Sequence, residues 1–259
     1  MELTNENYYS LQADREYMSY SQFKNFIECE AKALAEVKGE YLEPVSDALL
    51  QGSYVDAYFS GELEDFKDDH PELFKKDGTL LAKYDICNDA IKTIEEDETF
   101  KEMFYSGKAQ TIVTGKIAEV PFKGKIDMLY EDKIVDMKFM KDVNDVWDEE
   151  QHRKVRFFLK YGYAIQAAIY QELYYQKTGQ RLPYYLAVVT KTCPVEKHVY
   201  QFHQEVLDLS LKLVQELAPR FQKIKEGKIQ PNECGKCDYY HKNHKFNIFD
   251  IEEITKEDL

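Results

Sequence analysis

Two aspartates and two lysines alternate with apolar residues in the stretch FKGKIDMLYEDKIVDMKFMK, which lies near the middle of the chain. This period-2 alternation predicts two β-strands, each with one polar and one apolar face. If residues 131–132 form a two-residue turn, Asp127 lies opposite Asp136 and Lys125 lies opposite Lys138. All four side chains then project from one face of the hairpin, because paired residues share a side and residues i and i+2 share a face.

Opposed carboxylates in such a hairpin stand about 5 Å apart at Cβ, and their charges repel each other unless a cation lies between them. Carboxylate oxygens suit Mg²⁺ or Mn²⁺, and a neighbouring lysine can orient a water or stabilise the charge of a phosphorane-like transition state. The alternative is an edge hairpin whose charged side chains only face solvent. The spacing alone leaves both interpretations open.

The hairpin motif, G-K-I-D followed nine residues after its Asp by a D-x-K triplet, resembles the PD-(D/E)XK nuclease superfamily. The resemblance is closest to the phage-type, exonuclease VIII-like and RecB-like branch. It implies that Asp127 and Asp136 ligate a metal ion, that Met137 lends its backbone carbonyl, and that Lys138 assists the attacking water. It also implies an α/β fold, a restriction endonuclease-like core with a mixed central β-sheet flanked by helices and with helical N-terminal additions.

Two further segments resemble this superfamily in order and spacing. The segment LLQGSYVDAYF is predicted to be a helix and stands where the family has G-x-x-x-H with a metal-binding His. Asp56 replaces that His, which implies a third carboxylate ligand, and the alternative is an ordinary acid on a helix surface. Gln166 and Tyr170 form a Q-x-x-x-Y pair that the resemblance places beside the metal site, in contact with DNA. A hydrogen-bonded core glutamine is the alternative for Gln166.

Three of the five cysteines form a further candidate ligand set. Cys234 and Cys237 form a C-x-x-C pair, a spacing that chelates soft metals. The resemblance implies an iron–sulfur cluster held by these two residues, by Cys29 and by a fourth cysteine, but the fourth position is Asn243. Zn²⁺ with a histidine as the fourth ligand is another alternative. We favour reduced thiols that bind no metal, and the odd number of cysteines without a secretory signal argues against a disulfide framework.

The elements that must position these residues are predicted from caps and periodicity. Ser19 and Gln22 form a capping box that opens a helix over residues 19–38. The longest helix is predicted over 150–177, with Gln166 and Tyr170 on an apolar stripe that also contains His152, Val155 and Leu159. The other predicted elements are a helix over 81–104, strands over 109–119, 184–191 and 197–202, and a closing helix over 204–227 with an apolar face of Val206, Leu209, Leu213, Leu217 and Phe221. Strands on both sides of a long helix predict a mixed sheet flanked by helices.

The net charge of −14 argues against a general nucleic-acid-binding protein, which usually has a basic surface. The excess acid is concentrated in residues 62–102 and in the tail 247–259. Residues 121–160 are balanced, and within them an acid-free cluster of Arg153, Lys154, Arg156 and Lys160 predicts a local phosphate-binding strip.

The length is consistent with one nuclease-like domain over residues 1–259, in which 61–105 is a charged helical insertion and 247–259 an acidic tail. No run approaches the ~20 apolar residues of a membrane helix, and the start MELTNENYYS lacks the basic and apolar regions of a signal peptide. We therefore expect a soluble, cytoplasmic protein.

The resemblance implies a Mg²⁺- or Mn²⁺-dependent exonuclease that hydrolyses phosphodiester bonds of linear duplex or single-stranded DNA. It also suggests a single-strand annealing recombination protein as a partner, and a homo-oligomer that encircles DNA. One alternative is a catalytically inactive relative that binds DNA or a recombination partner, which Asp56 in place of the family His favours. A second alternative is an acidic phage-type interaction protein that does not bind DNA, which the net charge favours.

Overall fold

A five-stranded mixed sheet forms the centre of the protein, in a computed structural model that describes residues 1–149, 151–245 and 255. Its strands are β1 (Lys108–Ile117), β2 (Val120–Leu129), β3 (Ile134–Met140), β6 (Tyr184–Thr190) and β7 (Lys197–Gln201). Two further strands, β4 (Val146–Asp148) and β5 (Arg153–Val155), form a separate hairpin. The strand order is β1-β2-β3-β6-β7. The strand β3 pairs with β6 in parallel, and the other pairings between the named strands of this sheet are antiparallel. The predicted mixed sheet is confirmed.

Helices cover both faces of this sheet. They are α1 (Leu11–Glu16), α2 (Tyr20–Glu28), α3 (Glu30–Lys38), α4 (Asp47–Ser60), α5 (Leu63–Asp69), α6 (Asp85–Glu95), α7 (Glu98–Tyr105), α8 (Phe157–Lys160), α9 (Tyr163–Thr178), α10 (Gln204–Lys225) and α11 (Asp238–Asn243), with 3₁₀ turns at Pro71–Leu73 and Ala82–Tyr84. Among the described residues, no helix is both long enough and apolar enough to cross a membrane.

The sheet separates two apolar cores. Along β6, Leu186 and Val188 pack into the core formed with α2, α3, α9 and α10, whereas Ala187 and Val189 pack into the core formed with α4, α6 and α7. Burial on both faces explains why β6 is almost entirely apolar. The helices of residues 61–105 therefore build the second core together with α4. Their interpretation as an insertion stays a prediction, and the acidic tail 247–259 lies outside the described residues except for Thr255.

The prediction of one helix over 19–38 is wrong at Cys29. Ser19 caps as predicted, because its hydroxyl accepts the N–H of Gln22 at 3.1 Å. Cys29 is extended (φ −162°, ψ 107°) and separates α2 from α3. The break lets the N–H of Ala31, in the first turn of α3, donate to the carbonyl of Asn232 at 3.1 Å, which attaches the C-terminal segment to this helix pair. The predicted helix over 81–104 is likewise divided, because the side chain of Asp97 accepts the N–H of Phe100 and starts α7.

The prediction of a long helix from residue 150 is wrong in its first half. β4 and β5 pair as a hairpin, and α9 begins only after Gly162, whose φ of 75° suits glycine. Asp148 stabilises the hairpin, because its side chain accepts the N–H of Gln151 at 2.9 Å and pairs with Lys160 at 3.0 Å. His152, Val155 and Leu159 therefore do not share a helix with Gln166. Glu150 itself lies outside the described residues.

The closing helix is present as α10, but part of its predicted apolar face is wrong. Leu209 is 66% exposed and Leu213 is 38% exposed, whereas Phe221 is buried as predicted. The helix buries a different stripe, formed by Leu207, Val214, Ala218, Phe221 and Ile224. Apolar spacing fits either stripe, and contact with α9 selects the buried one. The predicted strands over 109–119, 184–191 and 197–202 are present as β1, β6 and β7.

Candidate active site

The hairpin of β2 and β3 has the predicted register. Met128 pairs with Val135, and the N–H of Tyr130 donates to the carbonyl of Lys133 at 2.9 Å, which places Asp127 opposite Asp136. The ladder between β2 and β3 ends, however, at the pair of Met128 with Val135.

Where the ladder ends, the side chain of Asp127 replaces a backbone carbonyl as hydrogen-bond acceptor. In a continuous antiparallel ladder the N–H of Met137 would bond the carbonyl of Ile126. It donates instead to Oδ2 of Asp127 at 3.0 Å. The carboxylate of Asp127 is therefore held between the two strands rather than above a flat sheet. The proposed role of the Met137 carbonyl as a metal ligand stays a prediction.

Asp136 is almost completely buried, with 1% of its surface exposed, and both of its oxygens have polar neighbours. Oδ1 accepts a hydrogen bond from Nε2 of Gln166 at 2.7 Å, and Oδ2 forms an ion pair with the ammonium of Lys138. Burial alone would lower the pKa of Lys138, but Asp136 and Asp127 raise it above its usual value. Lys138 is therefore a fixed positive charge beside the carboxylates.

A third carboxylate, from α4, lies in the field of the other two. Burial, followed by the charge of Asp136, raises the pKa of Asp127 well above its ordinary value, and Asp56 adds to the rise. Burial also raises the pKa of Asp56 to about 6, although Lys138 and Lys125 oppose the rise. We call Asp56, Asp127, Asp136 and Lys138 the carboxylate site. Its three acids and one amine carry more negative than positive charge, which favours a bound cation.

The carboxylate of Asp56 is contacted by Gln110 of β1. Nε2 of Gln110 lies 3.3 Å and 3.5 Å from the two oxygens of Asp56. Asp56, Asp127 and Asp136 do not offer three oxygens that all lie within 4.8 Å of one another. Gln110 has a φ of 49°, a left-handed conformation that is uncommon outside glycine and is often retained at functional sites. Gln110 could not be recognised from the sequence as a residue of the site, because its amide is uncharged and does not resemble a metal ligand.

Gln166 and Tyr170 of α9 both lie at the carboxylate site. The hydrogen bond to Asp136 explains why a glutamine, 6% exposed, stands in an apolar environment. Tyr170 is 8% exposed and packs against Gly124, where an added Cβ would lie 2.8 Å from two carbons of the Tyr170 ring. This close contact is a physical reason for the glycine of the G-K-I-D motif. Contact of Gln166 or Tyr170 with DNA stays a prediction.

A cavity of about 320 Å³ opens beside Asp127 and Asp56. Lys123 and Lys125 line it together with Asp127, as the alternation along β2 predicts. Another part of its wall was missed by sequence reasoning, because it comes from an N-terminal stretch with no chemical motif. Tyr8, Tyr9 and Asp14 form that part, and side chains of α2 and α3 also line the cavity. No motif in the sequence indicates this part of the wall.

The predicted basic strip is only partly free. Arg156 pairs with Asp145 at 3.3 Å, and Lys160 pairs with Asp148. Arg153 and Lys154 are exposed on β5, where the guanidinium of Arg153 donates to the side chain of Gln151. A role of the strip in phosphate binding stays a prediction.

The sulfur atoms of Cys29, Cys234 and Cys237 lie within 4.8 Å of one another, the one such set of three ligands among the described residues. Cys29 contributes from the break between α2 and α3, and the other two precede α11. Burial raises the pKa of Cys234, but hydrogen bonds, chiefly from the backbone N–H of Lys236, bring that pKa down to about 7. We call these three residues the cysteine cluster. Their arrangement is that of a ligand set for a thiophilic metal.

Comparison with known proteins finds similarity over most of this chain. A family model described as "PDDEXK-like domain of unknown function (DUF3799)" matches residues 19–243. A crystal structure of a protein from Eubacterium rectale, described as a "Putative exonuclease", has a TM-score of 0.91 and 35% sequence identity over 98% of this chain and 97% of that chain. No curated protein matches the chain. Both the hairpin motif and the matched family model thus lead to one conclusion: the chain belongs to the PDDEXK-like family DUF3799, within the PD-(D/E)XK superfamily.

Proposed function

We propose that the protein is a metal-dependent DNA nuclease that hydrolyses phosphodiester bonds of linear DNA from an end. The PDDEXK-like family and the neighbour described as an exonuclease support a nuclease. The observation that carries the proposal is the register that places Asp127 opposite Asp136 on adjacent strands, with Lys138 in contact with Asp136. The raised pKa of Asp127 supports cation binding, since a cation relieves the repulsion between the two acids.

The donor set fits a hard divalent cation such as Mg²⁺ or Mn²⁺. Asp127 and Asp136 offer carboxylate oxygens, Met137 offers a backbone carbonyl, and Asp56 adds a third carboxylate. Such ligands suit small oxygen-preferring ions. When bound, the ion supplies a water of lowered pKa and neutralises charge on the phosphate.

The remaining side chains orient and stabilise the reacting groups in this proposal. Gln166 fixes the orientation of Asp136 through its hydrogen bond to Oδ1. The ammonium of Lys138, held beside Asp136, donates a hydrogen bond to the attacking water or to a phosphate oxygen. Tyr170 supports β2 under Gly124 and lines the cavity that admits DNA.

The cysteine cluster supports a second metal site, with a structural role. Three converging sulfur atoms and a thiol whose pKa is about 7 favour Zn²⁺ or an iron–sulfur cluster over free thiols. We infer that such a group attaches the C-terminal segment to the break between α2 and α3. Asn243 in place of a fourth cysteine means that another donor completes the set. The annealing partner and the homo-oligomer stay predictions.

End-labelled linear duplex and single-stranded DNA, incubated with Mg²⁺ or Mn²⁺ and then with EDTA, tests the nuclease proposal. Metal-dependent release of label from linear DNA, with closed circular DNA left intact, is the expected result. DNA binding without cleavage would identify the catalytically inactive relative. Neither binding nor cleavage would identify the acidic interaction protein.

The Lys138→Ala variant tests the assigned chemistry. We expect its cleavage rate to fall by about 10²–10⁴-fold, the range for loss of a proton-transfer or charge-stabilising group. Lys133→Ala is the matched control, since Lys133 lies at the turn of the same hairpin and pairs with Asp132. A Lys138→Ala protein that cleaves as fast as the parent would refute the role of Lys138.

A further inference from the structure

We propose that Tyr9 and Lys125 form a platform for an unpaired nucleotide beside the carboxylate site, so that the preferred substrate is a single-stranded DNA end. The ring of Tyr9 stacks on the base, and the ammonium of Lys125 binds the adjacent phosphate. This inference rests on the proposed nuclease function and names the substrate class of the same site.

The first observation is an aromatic ring exposed at a polar cavity. Tyr9 is 73% exposed, yet it lines the same cavity as Asp127 and Asp56. The centroid of its ring lies 4.8 Å from Nζ of Lys125. The rings of Tyr9 and Tyr8 are packed edge to face, with their centroids 4.9 Å apart. An exposed ring with an adjacent cation matches the two parts of a nucleotide, an aromatic base and a phosphate.

The second observation is that buried contacts hold Tyr9 in place, although it lies near the start of the chain. Lys123 is 1% exposed and donates to the backbone carbonyl of Tyr8, while its Nζ lies 2.8 Å from Oδ1 of Asp14. Lys225 donates to the carbonyls of Asp14 and Tyr17 at 2.8 Å and 2.9 Å. The segment is thereby fixed against β2 and α10.

This anchoring matters for binding. A platform that is already ordered loses little conformational entropy when a ligand stacks on it. The cavity volume of about 320 Å³ also lies within the range of small-ligand sites, roughly 300–1,000 Å³. Both features suit one nucleotide rather than a broad protein interface.

An unpaired base fits this platform better than a duplex does. Inside a duplex both faces of every base are covered by neighbouring bases, so a side chain can stack only on a terminal, extruded or single-stranded base. Stacking accepts any base because every base has a π-face, so the preference should concern strandedness rather than sequence. The −14 net charge agrees with a narrow local contact instead of a long basic groove.

The test uses a single-stranded oligonucleotide with 2-aminopurine at its end, in Mg²⁺, bound to Asp136→Asn protein so that cleavage does not interfere. Stacking on Tyr9 should quench the fluorescence. Adding Tyr9→Ala should remove the quench and weaken single-strand binding by about 10- to 100-fold. Tyr9→Phe should retain both, because the ring face is unchanged. Blunt duplex of the same sequence should show a smaller change with Tyr9→Ala.

Tyr175→Ala is the matched control, since its ring also carries a cation, with the Arg181 guanidinium 4.2 Å from the centroid, but it does not line the cavity. The inference is overturned if the Tyr9→Ala protein quenches 2-aminopurine and binds the single strand as well as the Tyr175→Ala protein does. It is also overturned if Tyr9→Phe loses the quench and the affinity to the same extent as Tyr9→Ala. Loss of affinity for duplex and single strand alike would also overturn it. Failure of the proposed function gives a different result, namely no metal-dependent cleavage by the unmodified protein on any DNA.

Discussion

The carboxylate site and the cysteine cluster each gather ligands of one chemical kind, but they are assembled differently. Asp127 and Asp136 are nine residues apart on one hairpin, whereas Cys29 and Cys234 are 205 residues apart (234 − 29) and meet only when the C-terminal segment packs against α2 and α3. In the first site, buried acids repel one another and a lysine offsets part of the charge. In the second, backbone N–H groups favour a thiolate at Cys234. Local geometry therefore defines the two hairpin carboxylates, whereas tertiary packing brings Asp56 to them and brings the sulfur ligands together.

The Asp127→Asn variant should give the largest effect and separate function from stability. We expect loss of at least about 10³-fold in cleavage, as for other groups that stabilise charge in the transition state. In EDTA the variant should be more stable than the parent, because the substitution removes repulsion from Asp136 and Asp56. Each kcal/mol gained corresponds to a rise of about 2–4 °C in Tm for a domain of this size.

The pH dependence of that gain has a definite sign. The folded-state pKa of Asp127 is raised, so its stabilising contribution is present below the unfolded-state pKa, near 3.9, and is lost as the pH rises through the folded-state pKa. The difference in Tm between variant and parent should therefore be small at pH 4 and grow with pH. Thermal melts in EDTA from pH 4 to 8 measure it. A variant that is less stable than the parent throughout would contradict the repulsion.

The sequence predicts most of the elements that depend on local patterns. It fails where two patterns fit the sequence equally well and packing decides between them. Alternation in β2 and β3 predicts the register, and the Ser19 cap is read from four residues. Leu209 and Leu213 satisfy helical spacing as well as the residues that α10 buries, so spacing could not select the face. The helix predicted from residue 150 failed because Asp148 of β4 pairs with Lys160 of α8, a contact that helical spacing does not reveal.

The same distinction holds for the functional residues. Asp127, Asp136 and Lys138 belong to one hairpin motif, whereas Gln110 reaches Asp56 only through the packing of β1 beside α4. Tyr9 belongs to no motif, and its place is set by contacts of its neighbours with distant lysines. Uncharged residues that belong to no motif and reach the site only through tertiary contacts cannot be identified from a single sequence.

The Cys234→Ser variant tests the other half of the comparison. Elemental analysis and absorption spectra of anaerobically purified protein should show Zn²⁺ or iron in the parent and loss of that metal in the variant, because two sulfur ligands hold an ion far less tightly than three. The Tm should fall, while cleavage per folded molecule should stay within about twofold, since the cluster does not belong to the carboxylate site. Cys193→Ser is the control, as Cys193 is exposed and outside the cluster. Parent protein without bound metal would exclude the second metal site.

The Gln166→Ala variant measures how far the carboxylate site depends on its support from α9. Removing the hydrogen bond to Asp136 should lower metal affinity or cleavage rate by about 10- to 100-fold, the usual effect of residues that orient a metal ligand. Titration of activity against Mn²⁺ separates the two effects. Gln176→Ala on the same helix, which removes contacts to Lys116 on the surface, should leave both unchanged. Equal activity of the two variants would mean that Asp136 is oriented without Gln166.

The Gly124→Ala variant should have the smallest effect, and it tests packing without removing any polar group. The new methyl would lie 2.8 Å from the ring of Tyr170, so the ring or β2 must shift, at about 1–3 kcal/mol of unfolding free energy. A second substitution, Tyr170→Leu, should recover part of this loss by opening space. Gly52→Ala is the control without a clash, because a Cβ there meets nothing within 4 Å, and it should gain up to about 1 kcal/mol because alanine favours the helix α4 more than glycine does. Chemical denaturation of the three variants measures the effect. If Gly124→Ala costs no stability, the contact with Tyr170 is too soft to position the hairpin, and the glycine of the motif must instead serve the approach of DNA.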